Sequence, residues 1–339
     1  MIKYFLMVKG GEYSIKRYLY IWIIILLIIG VTTLIFLKGI IESQDEKSEL
    51  IDFSNAGEEE SDDVSTSQII PWGITAIGGP FPVSNQTKKI KVAILDSGIN
   101  KNHPDLRNKV VKEFNAINPK DPVIDDYGHG TAIAGIIAAN DNSEGVIGVS
   151  QNALLYSVKV LDKHGNGNID TLVKAISWCI KNKVDIINLS FGLTNDNEVL
   201  YNKIKEANKK GIIIVAAAGN NIGLKTDYPA RYKEVISVNP TNKEYKYITE
   251  LSSKGKIDYT LPGVQILTTT KDGKYAEFEG SSIATAYLTG LLAVLLGDKD
   301  KYSINNENYL SSINKHSYTL GSKELFGNGF IKIDKKGSK

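Results

Sequence analysis

The chain has 339 residues, with 40 Lys and Arg against 38 Asp and Glu, four His and a single Cys. A 42% hydrophobic share beside 23% charged residues supplies enough apolar surface for a large core, which excludes a wholly disordered chain. The lone Cys179 can make neither an intrachain disulfide nor a cysteine-rich zinc site, and a net charge of +2 gives no electrostatic case for nucleic acid.

Taken in chain order, residues 1–17 are short and basic, with Lys3, Lys9, Lys16 and Arg17 opposed only by Glu12. Tyr18 to Leu37 follow as twenty uncharged residues. At about 1.5 Å per residue, a helix of that length spans a ~30 Å hydrocarbon layer. Beyond Lys38 the flank turns acidic, so the positive-inside bias places the N-terminus in the cytoplasm and the remainder outside. A cleaved signal peptide is the competing reading. Its apolar core usually runs about 7–15 residues to a small-residue cleavage site, and no A-x-A follows here. The expectation is therefore one uncleaved transmembrane signal anchor over residues 18–37, a single-pass protein of the cell membrane with its folded part extracellular. Residues 38–67, rich in Glu, Asp and Ser, read as a solvated acidic linker.

From residue 68 to about 335 short apolar runs alternate with helical stretches. Val92–Leu95, Leu155–Val160, Asp185–Leu189 and Ile212–Ala216 are strand candidates rich in β-branched residues. Between them His129–Asn140, Ile169–Lys181 and Glu198–Lys210 have helical character, the last stopping at Gly211. Such alternation predicts an α/β fold, a mostly parallel sheet flanked by helices, with chemistry at the carboxyl ends of the strands.

Three stretches hold the polar residues of a hydrolase. The strand VAIL runs into Asp96-Ser97-Gly98, setting a carboxylate at a strand's carboxyl end. Gly128-His129-Gly130-Thr131 opens the helix TAIAGIIAAN. Glu279-Gly280-Ser281-Ser282 opens the apolar helix IATAYLTGLLAVLL, where the positive helix end favours an oxyanion forming beside a serine. Taken singly, each has a bland explanation as a turn former or an N-cap.

Together and in this order they resemble the subtilisin-like serine proteases, the subtilases, over about Gln68 to Ile333. The Asp motif stands here as AILDSGINKNHPDL, the His motif as GHGTAIAGIIA, the Ser motif as GSSIATAYLTG. A fourth block, Val215-Ala-Ala-Ala-Gly-Asn220, matches the segment carrying an oxyanion-hole asparagine. The resemblance implies a subtilisin-like three-layer fold and serine endopeptidase activity. It assigns the nucleophile to Ser282, the general base to His129 and the orienting carboxylate to Asp96, with Asn220 on the oxyanion. Ser281 occupies the position that is usually threonine in G-[ST]-S-x-A. Where the family continues its Ser motif with Pro and His, this chain has Ala286 and Tyr287, a change that should fall on the helix's shape. The family's long folding-assistant propeptide is missing between the apolar span and the domain, which puts self-processing in doubt.

The resemblance further implies structural calcium, held by Asp105, Gln68, Asn142 and the carbonyls of Asn140, Glu144 and Val146; calcium takes six to eight oxygens. No catalytic metal or organic cofactor is expected. Peptide or protein substrates would add as a strand along Ser190-Phe191-Gly192. Asp227, just before Tyr228-Pro229-Ala230, faces either the floor of the primary specificity pocket or, in a shortened loop, water. A monomer is expected, joined to the membrane by its N-terminal helix. A processing protease for one partner peptide, a catalytically silent peptide binder and a membrane-signalling sensor are the alternatives, the last having only about seventeen residues inside. Cys179, on the apolar side of LVKAISWCI, is expected to pack as a buried thiol.

Overall fold

The computed structural model describes residues 50–51, 67–83, 87–302 and 309–333. The apolar span 18–37 and most of the acidic linker lie outside them. Among the described residues no helix is long and apolar enough to cross a membrane.

The chain builds β1 (Leu50–Ile51), α1 (Trp72–Ala76), β2 (Ile90–Asp96), β3 (Val110–Asn115), α2 (His129–Ala138), β4 (Ala153–Lys159), α3 (Ile169–Asn182), β5 (Ile186–Leu189), α4 (Glu198–Lys209), β6 (Ile213–Ala217), β7 (Ile236–Thr241), β8 (Tyr259–Pro262), β9 (Ile266–Thr269), β10 (Tyr275–Phe278), α5 (Ser281–Gly297), α6 (Tyr309–Asn314), β11 (Ser317–Tyr318), α7 (Lys323–Phe326) and β12 (Phe330–Ile331). Nine strands form one sheet in the order β11-β12-β8-β7-β6-β5-β2-β4-β3. Every pairing in it is parallel except β11 with β12. Strands β9 and β10 make a separate antiparallel hairpin, against which β1 pairs.

Side chains along the central strands alternate between two cores, as the period of two requires. Val92 and Ile94 of β2, Ile186 of β5 and Val215 of β6 join Ile133, Leu288 and Leu292 on the face covered by α2 and α5. Ala93 and Leu95, Ile187 and Leu189, and Ile214 and Ala216 join Leu172, Ile176 and Ile204 under α3 and α4. Both faces of the parallel sheet are thus buried, which explains why these strands read as unbroken apolar runs. Helix α5 is buried almost all round; each of Leu288, Leu291 and Leu292 contributes ~1.5–3 kcal/mol of transfer free energy. It runs unbroken through Ala286 and Tyr287, and the Tyr287 ring fills the space beside Gly73 of α1.

The expected elements appear with small shifts at their ends. Helix α2 stops at Ala138 instead of Asn140 because Ala139 turns extended, and Asn140 then faces residue 68 rather than the helix. Strands β7, β8, β12 and β11, which complete one side of the sheet, were not among the sequence expectations. Cys179 is fully buried, and burial pushes its thiol far up from the ordinary range.

Candidate active site

Strand order places the functional groups. The chain leaves β2 for β3, returns through β4, and then crosses to β5 on the other side of β2, so β2 lies at the switch in strand order. Its last residue is Asp96. Ile94 of β2 pairs with Asn188 of β5, so two residues later Asp96 and Ser190 lie side by side at the strand ends. Leu189 pairs with Ala216 of β6, which carries the chain on to Gly219 and Asn220 beyond.

Asp96 is fully buried, and both its carboxylate oxygens lie 2.9 Å from Nδ1 of His129. The Ser97 backbone N–H also donates to Oδ1 at 2.8 Å. A charge in that position needs such partners. They also fix the tautomer: Nδ1 carries the proton, which makes Nε2 the basic nitrogen. His129 stands at the first turn of α2, with a fifth of its side chain exposed.

Asp125, four residues before His129, went unread in the sequence. Its buried carboxylate accepts from Ser97 Oγ at 2.7 Å, Gly128 N at 2.7 Å and Thr131 N at 2.9 Å, and from the Thr131 hydroxyl. Ser97 Oγ in turn accepts from Gly130 N at 3.0 Å. One carboxylate therefore caps α2 and ties its first turn to the turn that follows Asp96. The buried ammonium of Lys159 adds a second tie, donating to the carbonyls of Ser97 at 2.7 Å and Ile124 at 2.9 Å. An acidic residue ahead of a helix start was the available signal.

Ser282 lies in the first turn of α5, where its Oγ donates to the Ser190 carbonyl at 2.6 Å while Ser190 Oγ donates back to the Ser282 carbonyl at 3.2 Å. Ser281 has a different task. Its N–H and Oγ both donate to Asn220 Oδ1, at 2.9 and 2.8 Å. The carbonyl end of that amide is thereby held, and Nδ2 is presented as a donor beside Gly280.

Ser190-Phe191-Gly192 continues β5 past the contact with Ser282, and Leu193 pairs with Tyr228 through 2.7 and 2.8 Å backbone bonds. Asp227 lies between this segment and the Gly219 turn, half-buried rather than turned out to water.

The six residues expected around calcium also meet in one place. The Gln68 amide reaches three oxygens: the carbonyls of Asn140 at 2.5 Å and Val146 at 3.2 Å, and Asn142 Oδ1 at 3.5 Å. Asp105 accepts from Asn142 Nδ2 at 3.1 Å and from Val146 N at 2.9 Å. Glu144 donates its N–H to Asn142 Oδ1 at 3.2 Å. Gly145 between them has φ +55°, and a Cβ there would collide with Asp105 and the Tyr275 hydroxyl. His103 braces the loop, accepting from Asp105 N at 3.1 Å with its other nitrogen 3.0 Å from the Lys274 carbonyl; burial lowers its pKa. Among the described residues no three His, Cys, Asp or Glu side chains converge. One carboxylate among amide and carbonyl oxygens is instead a donor set that suits a hard cation such as calcium. A cavity of about 460 Å³ opens beside this loop, lined by Asn140, Asn142 and Glu144 together with Lys89, Arg107 and Lys109, away from the Asp96–His129 pair.

A parallel α/β fold with Asp96 at the end of β2, His129 in the first turn of α2 and Ser282 in the first turn of α5 has the make-up of a serine hydrolase. The Subtilase family model, Peptidase_S8, matches residues 87–329, and the chain belongs to that family. It is 36% identical over 276 residues to the thermostable alkaline protease of Halalkalibacterium halodurans, covering 80% of this chain and 75% of that one. Identity to the intracellular serine protease of Paenibacillus polymyxa is 38%, over 77% and 85% of the two chains. With the subtilisin of Bacillus pumilus it is 34%, over 79% and 98%. The protein is a serine-type endopeptidase that acts on peptide or protein substrates.

Proposed function

We propose that Ser282 is the nucleophile, His129 the general base and Asp96 the carboxylate that orients it. The observation that carries this reading is the Asp96–His129 pairing at 2.9 Å beside the Ser190–Ser282 pair. In the reaction the Ser282 hydroxyl turns from the Ser190 carbonyl to His129 Nε2, gives up its proton and attacks the scissile carbonyl. The imidazolium then returns the proton to the leaving amine. Asn220 Nδ2 and the Ser282 N–H hold the oxyanion, the amide being aimed by Ser281. The substrate lies as a strand along Ser190-Phe191-Gly192.

In this reading Gln68, Asp105, Asn142 and the carbonyls of Asn140, Glu144 and Val146 would hold calcium. It would supply no chemistry to peptide cleavage and would tie residue 68 to the loop that follows α2. Residues 68–335 are the peptidase domain, 38–67 its linker and 18–37 a membrane anchor, with the domain outside the cell and monomeric. The charge asymmetry across the apolar span supports that topology. In the test of the catalytic reading, full-length protein is incubated with a peptide mixture and the cut sites are read by mass spectrometry. Cleavage that disappears in Ser282→Ala is expected; cleavage retained in that variant refutes the assignment.

A further inference from the structure

The carbonyl that Ser282 attacks must sit with its oxygen between Asn220 Nδ2 and the Ser282 N–H. The side chain on the acyl side of that carbonyl then enters the space between the two segments flanking these donors, Ser190–Gly192 and Ala218–Asn220. Both segments carry a glycine there, and one side chain lies against both. A Cβ built on Gly192 would stand 2.6 Å from Asp227 Cβ and 2.8 Å from its Oδ2, and one built on Gly219 would collide with the same oxygen.

Backbone bonds fix this position to each wall. Asp227 N donates to the Ala218 carbonyl at 2.9 Å on one side, and Tyr228 pairs with Leu193 on the other. A shift of one residue would break both attachments and send the carboxylate to the opposite face.

The carboxylate so placed lacks an ionic partner. Among the described residues no Lys or Arg forms an ion pair with Asp227, and its side-chain hydrogen bond is a long 3.4 Å contact from Asn221 Nδ2. Asn221 is better engaged with the Lys225 carbonyl, at 2.8 Å. Arg231, the nearby cation, donates its Nε to the Thr226 carbonyl at 2.6 Å and lays its guanidinium over the Tyr228 ring at 4.5 Å. Partial burial raises the Asp227 pKa, outweighing the opposing pull of the Asn221 amide and of the Arg231 charge nearby.

Resting on the active-site reading above, we infer that Asp227 is a specificity-determining residue: its carboxylate forms the floor of the pocket for the side chain before the scissile bond and selects lysine or arginine there. A cationic side chain supplies the missing counter-charge, whereas leucine or phenylalanine leaves a half-buried carboxylate covered by hydrocarbon. A charge-assisted contact of this kind gives roughly tenfold or greater discrimination.

The test uses full-length protein and peptides that differ only in the residue before the cut: Lys, Arg, Leu or Phe. Wild type should favour Lys and Arg over Leu at least tenfold in kcat/KM. That ratio should fall at least tenfold in Asp227→Asn, and likewise in Asp227→Ser should the first variant misfold. An equal ratio in wild type and variants overturns the inference. Binding of product peptides ending in Lys or Leu to the Ser282→Ala protein reads the same pocket without chemistry. Tighter binding of the Lys peptide supports the inference and equal affinity overturns it. Absence of hydrolysis in the wild type would count against the catalytic reading alone.

Discussion

Two carboxylates of the proposed active site, Asp96 and Asp227, lie in opposite circumstances. Asp96 is fully buried and saturated, with His129 on both oxygens and the Ser97 N–H on one. Asp227 is only half-buried, yet among the described residues its carboxylate has one long contact from an amide and no ion pair, with the Arg231 charge acting from nearby. The difference separates a charge that serves the resting fold from one held in readiness for a ligand. The first has all its partners within the chain, and the second leaves a place for one from outside. Asp125 belongs with Asp96, since its four donors make it part of the frame of α2.

That contrast can be broken most forcefully at the saturated side. Asn220→Ala should lower kcat by roughly 10²–10³ with little change in KM, because its amide acts on charge that appears only in the transition state; the magnitude is the one known for subtilisin itself. A drop confined to KM, read from initial rates, would mean that Asn220 binds substrate without touching the oxyanion. Asp125→Ala should cost roughly tenfold to 10² in kcat through misplacement of His129, together with a lower melting temperature from the donors left unpaired. Asp125→Asn keeps two lone pairs on one oxygen and should recover part of kcat. Equal loss in both variants would leave Asp125 with a structural role alone.

A chelator should lower the melting temperature of the wild type by several degrees, through lost binding free energy. In Asp105→Ala the transition should be insensitive to chelator. A wild-type melting curve indifferent to chelator would contradict the calcium assignment. The smallest effect belongs to Asp227. Its folded-state pKa is raised, so ionising it costs stability as pH climbs above the ordinary aspartate value of about 4, and nothing is lost below that pH. Asp227→Asn should therefore melt slightly higher than wild type at pH 7, with the gap closing near pH 3. A gap that widens on acidification would contradict the burial argument.

How legible each of these groups was depends on how local its environment is. Asp96, His129 and Ser282 each sit in a short motif at the end of a strand or the start of a helix, so the chain order announces them. The alternation that splits Val92 and Ile94 from Ala93 and Leu95 was masked because both faces of the sheet are buried, but the apolar run still marked the strand. Asp125 was missed because its partners, Ser97 and Thr131, are fixed only once β2 and α2 pack together. The same holds for Ser281, whose hold on Asn220 spans 61 positions. Strand β7 hides behind the Asn and Pro of ISVNPT, and β8 and β12 are only four and two residues long. The orientation of Asp227 turned on a bond to Ala218 across a shortened loop, which no local pattern encodes.

The activation of Ser282 by the Asp96–His129 pair is tested most directly by a serine-directed organophosphorus probe on the full-length protein, with the adduct mapped by mass spectrometry. A single adduct on Ser282, lost in His129→Ala and absent from its neighbour Ser281, is the predicted result. An adduct on Ser281, or labelling of Ser282 undiminished without His129, would contradict it.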